Sequence, residues 1–176
     1  IHDIKRGKLF HEVTDIILGL HSMAKPTIAM VPGDAVGAGF DMALACDMRI
    51  ASPKARFVVG FTRIGLPPDT GTAWFLPRIL GVNKAIEIIL TGDFVSGEEA
   101  FQLGILNRLV PHDKLEAETM ALAQKLARGA PIAQRLAKRL IYDGLGHDLP
   151  AALADAMAYV TLAVTSADHQ EGIAAI

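Results

Sequence analysis

The chain has 176 residues, of which 51% are hydrophobic and 20% charged, and its formal net charge is −2 at pH 7. That length is enough for one domain with a substantial core. The near-neutral charge argues against nucleic acid or an anionic membrane as the main partner. Cys46 is the only cysteine, which excludes an internal disulfide framework and favours a reducing, cytoplasmic location.

The first segment, 4–20, predicts an amphipathic helix because apolar residues recur at steps of three and four. The histidines in and beside it are not at i, i+4 spacing, so no metal site is predicted. The chain begins at Ile1 inside this helical pattern and ends at Ile176 inside another. We therefore expect both ends to lie within a larger protein.

The stretch KPTIAMVPGDAVGAGFDMALACD, residues 25–47, is the most informative part of the chain. Its apolar run 27–31, bounded by prolines, predicts a buried strand. A glycine-rich loop follows, and helical spacing begins at about Ala38, with Phe40, Ala43, Leu44 and Cys46 predicted to share the inner face. A strand that passes through a glycine loop into a helix start presents free N–H groups at a positive dipole end, which suits a phosphate or a reaction oxyanion.

Short strands and helices are predicted over the rest of the chain. The Ser96-x-x-Glu99 and Asp113-x-x-Glu116 patterns resemble capping boxes, Pro131 suits the first turn of a helix, and Ser166 suits a cap. The last long helix is apolar on more than one face, but Asp155 interrupts it and it is too short for a membrane span. The predicted strands are 48–51, 56–59 and 105–110, and the predicted helices are 70–80, 83–90, 96–104, 114–128, one from 131, 149–165 and one from 166.

This order of elements favours an α/β fold whose second half is mainly helical. We expect a partial α/β core over residues 1–110 and a helical C-terminal region over 111–176. The helical region should pack against itself or against a neighbouring subunit, because a helix that is apolar on several faces is usually covered.

Two aspartates are candidate chemical groups. Asp41 lies one turn after Ala38 on the same helix face, where it either stands beside whatever the Ala38 N–H binds or simply complements the positive helix end. Asp69 follows a stiff GLPP segment and precedes a helix. It is either an N-cap or a general base that a constrained loop holds over a cavity. Spacing alone leaves both choices open.

The segments KPTIAMVPGDAVGAGFDMALACDMRIAS and ARFVVGFTRIGLPPDTGTAWFLPRILG resemble the enoyl-CoA hydratase/isomerase (crotonase) family. The similarity continues through ILTGDFVSGEEAFQLGILNRLVP and the DHQEGIAA ending, and so covers nearly the whole chain. The resemblance implies a superhelix of ββα turns with a C-terminal helical trimerisation region. It also implies homotrimers or dimers of trimers, and acyl-CoA thioester substrates.

In that family two backbone N–H groups hold the thioester oxygen as it becomes enolate-like. By resemblance one of them is the N–H of Ala38, and the other is expected from a segment that precedes Ile1. Gly37, Gly39, Phe61 and Trp74 are expected to contact substrate. No permanently bound cofactor is implied, because coenzyme A enters as part of the substrate, and no metal is implied either.

The resemblance also separates the possible activities. The two glutamates of the hydratases map to Asp41 and to Phe61, and a phenyl ring can neither take nor give a proton. Asp69 matches the aspartate of isomerase branches that act on ring epoxides and dienoyl-CoA. We therefore predict an isomerase in which Asp69 shuttles a proton and Asp41 assists or positions it. The alternatives are a hydratase based on Asp41 and a non-catalytic acyl-CoA-binding protein.

Overall fold

The computed structural model describes residues 2–175, and side chains over residues 11–175. Two compact units are present. The first comprises the chain up to Met23 together with Thr27–Ala121, and it contains the strands. The second comprises Ala24–Pro26 and the chain from Leu122 onward.

The strands lie between residues 28 and 109, and helices flank or follow them. The strands are β1 (Ile28–Val31), β2 (Ala35–Val36), β3 (Met48–Ala51), β4 (Arg56–Val58), β5 (Val95–Ser96) and β6 (Arg108–Leu109). The α-helices are α1 (His2–Ser22), α2 (Ala38–Ala45), α3 (Thr72–Leu80), α4 (Val82–Thr91), α5 (Gly97–Gln102), α6 (Leu115–Ala127), α7 (Pro131–Gly144), α8 (Leu149–Val164) and α9 (Ala167–Ala174). Short 3-10 turns cover Thr62–Ile64 and His112–Lys114.

The strands form two small sheets. One has the order β1-β3-β6 and is parallel, with Ile28 opposite Met48 and Ile50 opposite Arg108. In the other, of order β2-β4-β5, β2 runs parallel to β4 and β5 antiparallel to it. The chain leaves β1, passes through β2 and α2, and returns as β3, so α2 is the crossover between neighbouring parallel strands. This arrangement confirms the α/β fold class.

The core of the first unit lies around α2. Phe40 and Phe57 are fully buried, and their ring centroids are 5.2 Å apart. The predicted inner face of α2 is confirmed for Phe40, Ala43 and Leu44. It is wrong for Cys46, which is the partly exposed C-cap of the helix.

Two polar groups fix the end of α2. The buried guanidinium of Arg49 donates to the carbonyl oxygens of Ala43, Leu44 and Cys46 at 3.2, 3.3 and 2.7 Å. These carbonyls belong to the last turn of the helix, where helical partners are missing. Asp47 Oδ2 accepts hydrogen bonds from the N–H and the hydroxyl of Thr27, which joins the end of α2 to the start of β1.

Most predicted helix boundaries are confirmed, and three details are wrong. Ser96 Oγ caps α5 by accepting from Glu99 N at 3.1 Å, Pro131 begins α7, and Ser166 caps α9. Asp113, however, lies inside a 3-10 turn and not at a helix cap. The predicted strand 105–110 is shorter and consists of residues 108–109 only, and the helix expected from residue 70 begins at Thr72.

The second unit is helical. Helices α7, α8 and α9 pack on one another, and the Ile132 N–H donates to Asp168 Oδ2 at 2.9 Å. An exposed apolar stripe follows one side of α8: Leu149, Leu153, Met157, Val160 and Val164. In the described part of the chain no single helix has the length and hydropathy of a membrane span. Only α8 and α9 taken together, bent by 76°, meet those two criteria.

Candidate active site

The start of α2 presents backbone donors. Gly37 precedes the helix with φ 52°, a conformation that favours glycine, and its own N–H donates to Val58 O at 3.0 Å. No side chain caps this helix. Ala38 is the first helical residue, so its N–H has no acceptor within the helix and lies at the positive dipole end. The N–H of Ala38 can therefore donate a hydrogen bond to the oxygen of an anion or of a polarised carbonyl.

The aromatic ring of Phe61 lies against this loop. A Cβ atom built on Gly37 would be 3.5 Å from Phe61 Cζ, in van der Waals contact with the ring edge. Phe61 is partly buried and directly precedes the 3-10 turn Thr62–Ile64. By the family resemblance, Phe61 stands at the position of a hydratase glutamate. This position thus holds an apolar ring beside Gly37, the residue that precedes Ala38.

Asp41 is fully buried, with 0% of its surface exposed. Its Oδ2 accepts a hydrogen bond from the Thr70 hydroxyl, and its Oδ1 accepts one from the Thr72 hydroxyl. Burial raises the pKa of the Asp41 carboxyl above its ordinary value, and the charge of Asp69 adds to the rise, while the two hydroxyl hydrogen bonds oppose it. Asp41 is therefore an internal carboxyl, and neither sequence interpretation foresaw its complete burial.

Asp69 lies in the irregular segment between the 3-10 turn and α3, and it is exposed. The interpretation of Asp69 as an N-cap is wrong, because Gly71 occupies the cap position of α3. Among the described residues, no hydrogen bond or ion pair engages the Asp69 carboxylate. Its carboxylate is near enough to Asp41 to act on it electrostatically. The general-base role of Asp69 stays a prediction.

The remaining predicted contact residues occupy different surroundings. Trp74 is 41% exposed, with the Arg78 guanidinium 4.0 Å above its ring and His21 and Phe75 at its edges. Gly39 lines a cavity of about 320 Å³ together with residues of β1 and with Met42 and Cys46. Asp41, Phe61 and Asp69 do not line that cavity. Substrate contacts by Trp74 and Gly39 stay predictions.

Thr70 and Thr72 are the functional candidates that the sequence interpretation missed. Both are buried, and both direct their hydroxyls at Asp41. The available signal was the T-G-T triplet directly after Asp69, since alternate polar residues around a glycine can project to the same side. Within the described residues, no group of three or more His, Cys, Asp or Glu side chains could hold a metal ion.

A helix-start N–H donor, a buried carboxyl and an exposed carboxylate on the adjoining loop are groups of the kinds that stabilise an oxyanion and move a proton. Residues 3–176 match the family model described as enoyl-CoA hydratase/isomerase. The chain therefore belongs to the enoyl-CoA hydratase/isomerase family, and it has the crotonase-type fold.

Individual relatives agree with this assignment. The chain superposes with a TM-score of 0.96 on the enoyl-CoA hydratase of Bacillus anthracis, at 31% identity, covering 99% of this chain and 68% of that one. It is 38% identical to a probable enoyl-CoA hydratase of Rhodobacter capsulatus, covering 95% of this chain and 65% of the relative. It is 35% identical to the 1,2-epoxyphenylacetyl-CoA isomerase of Escherichia coli, covering 91% of this chain and 61% of the relative. The chain thus spans less than two thirds of the length of these two curated relatives.

Proposed function

We propose that the protein acts on acyl-CoA thioesters and isomerises a double bond or a ring of an enoyl-CoA through an enolate. The observation that carries the proposal is the combination of an exposed carboxylate at Asp69 with an apolar ring at Phe61. A site with one solvent-accessible base and an apolar surface that excludes water favours moving a proton over adding water.

In the proposed mechanism the thioester oxygen accepts a hydrogen bond from the N–H of Ala38. The second backbone donor implied by the family resemblance stays a prediction. The Asp69 carboxylate removes the proton next to the thioester carbonyl, and the C–H electron pair moves into the enolate. Protonated Asp69 then returns the proton to C4, which shifts the double bond and restores the carboxylate. The Ala38 N–H stabilises the negative oxygen between these two steps.

Asp69→Asn tests the proposal in the intact protein. With 3-hexenoyl-CoA as substrate, we expect kcat for double-bond migration to fall by a factor of about 10²–10⁴, because the amide cannot accept the proton. Asp113→Asn is the matched control, since Asp113 is also exposed and lies in a 3-10 turn. Unchanged turnover by Asp69→Asn would show that the base is another group.

The second candidate is hydration of an enoyl-CoA. It is favoured by the names of several relatives, including the crotonyl-CoA hydratase of Syntrophomonas wolfei, which is 31% identical over 156 residues. Comparing crotonyl-CoA hydration with 3-hexenoyl-CoA migration in the same preparation separates the two activities. Tight binding of these thioesters without either reaction, and without exchange of the α-proton into D₂O, would support a non-catalytic family member.

The proposal includes no permanently bound cofactor, because coenzyme A arrives with the substrate. It also includes a homotrimer or a dimer of trimers, supported by the exposed apolar stripe on α8. A cytoplasmic location stays a prediction.

A further inference from the structure

The side chain of Asp41 is unsuited to direct contact with a substrate. It is fully buried, and each carboxylate oxygen already accepts a hydrogen bond from a threonine hydroxyl. A carboxylate needs no burial to complement a helix dipole, and taking one out of water is costly unless its partners compensate. The arrangement therefore calls for an explanation other than proton transfer or dipole compensation.

The two hydroxyl donors flank the turn that follows Asp69. Thr70 is the next residue in the chain, and Thr72 is the first residue of α3. Gly71 between them has φ 122°, and a Cβ atom there would come within 2.9 Å of the Phe75 ring. Hydrogen bonds from the Thr70 and Thr72 hydroxyls to Asp41 thus hold the backbone on each side of Gly71, in a turn that only glycine fits.

The other end of this connection is the helix start that carries Ala38. The Asp41 N–H donates to Gly37 O at 3.0 Å, which closes the first turn of α2. Asp41 therefore joins the first turn of α2 through its backbone and the Asp69 segment through its side chain. Among the described residues of the candidate site, no other has contacts of this kind to both parts.

We propose that Asp41, Thr70 and Thr72 form a positioning unit that fixes the Asp69 carboxylate relative to the Ala38 N–H. The inference rests on the proposed function for its kinetic consequence. It assigns Asp41 to orientation and leaves Asp69 as the proton carrier. A shift of about 1 Å in a reacting group can cost on the order of 10²-fold in rate, so a fixed distance between these two groups has kinetic value.

The test compares Thr70→Val/Thr72→Val with Thr70→Ser/Thr72→Ser in the intact protein. Valine keeps the volume and removes both hydroxyls, whereas serine keeps them. With 3-hexenoyl-CoA we expect the valine variant to lose about tenfold or more in kcat, with KM changed by less than about twofold, and the serine variant to recover most of the rate. Amide hydrogen exchange should become faster in residues 69–72 of the valine variant only.

Thr119→Val is the matched control. Thr119 is also a buried threonine of the first unit, and its hydroxyl donates to Leu115 O at 2.7 Å within α6. We expect this variant to keep the wild-type kcat and the wild-type exchange rate in residues 69–72. The two single valine variants give the same comparison with one hydroxyl retained, should the double variant fail to fold.

The outcomes separate this inference from the proposed function. An unchanged kcat in the valine variants, or an equal loss in Thr119→Val, would overturn the positioning role while leaving the isomerase proposal intact. A wild-type protein without isomerase activity would contradict the proposed function. Hydrogen exchange would then still decide whether the hydroxyls hold the Asp69 segment: faster exchange confined to residues 69–72 supports the unit, and unchanged exchange refutes it.

Discussion

At the scale of single residues, the proposed preference for isomerisation over hydration depends on Phe61. A Cβ atom built on Gly37, the residue before the Ala38 donor, would meet the Phe61 ring at 3.5 Å, and the family resemblance places a hydratase glutamate at the Phe61 position. A carboxylate there could hold and deprotonate a water molecule, and general acid–base catalysis contributes about 10²–10⁴-fold in rate.

We therefore expect Phe61→Glu to raise the ratio of crotonyl-CoA hydration to 3-hexenoyl-CoA migration at least about tenfold. The measurement is the two rates in one preparation. Phe61→Gln is the control, because glutamine has nearly the same shape and cannot exchange a proton. An equal gain in both variants would mean that opening the pocket to water, and not a new proton acceptor, causes the change.

Asp41 makes the stability of the fold depend on pH. Burial raises the pKa of its carboxyl above the ordinary 3.8, so the folded state binds this proton more tightly than the unfolded state does. The stabilising contribution of this group is complete below pH 3.8 and is lost as the pH rises through the raised pKa. Asp41→Asn carries no charge to bury, so its stability relative to wild type should increase as the pH rises from about 4 towards 7.

Urea unfolding at a series of pH values measures this difference. Asp34→Asn is a control of opposite sign, because a hydrogen bond from Arg56 lowers the pKa of the Asp34 carboxyl. Its contribution is present above the ordinary pKa and is lost as the pH falls, so Asp34→Asn should lose stability relative to wild type as the pH rises. The same trend in both variants would contradict the assignment of the raised pKa to Asp41.

At the scale of elements, periodicity and local caps predicted what depends on neighbours in sequence. The strand before the glycine loop, the start of α2 at Ala38, and the Ser96 and Ser166 caps follow from such local rules. The short β2 strand was missed because two residues give no alternation. Ile105 belongs to an apolar run that predicts a strand. It is fully buried but lies before β6, because an apolar run indicates burial and does not specify which residues pair with a neighbouring strand.

The candidate site was predictable only in part, for a related reason. Glycine spacing indicated the Ala38 donor, and the family resemblance indicated Asp69. The partnership of Asp41 with Thr70 and Thr72 joins residues 29 and 31 positions apart, so no local pattern reports it. The N-cap alternative for Asp69 is wrong for a local reason: the chain needs two further residues, with Gly71 as the cap, before α3 begins.

At the scale of the whole molecule, the apolar stripe on α8 is a surface that a single copy leaves uncovered. Leu149, Leu153 and Met157 are 71%, 57% and 67% exposed, and Val160 and Val164 continue the stripe at helical spacing. A contiguous apolar strip of this kind usually marks contact between proteins. It supports the proposed trimer, with other copies of the chain as the covering partner.

We expect Met157→Lys to shift the protein from a trimer towards monomers, because an ammonium group would be buried without a partner at the contact. Ala158→Lys is the matched control: Ala158 is the next residue, is also exposed, and lies away from the stripe. Molar mass by light scattering over a micromolar concentration series measures the effect. A trimer that persists in Met157→Lys, or one that both variants lose equally, would show that the α8 stripe is not the contact between copies.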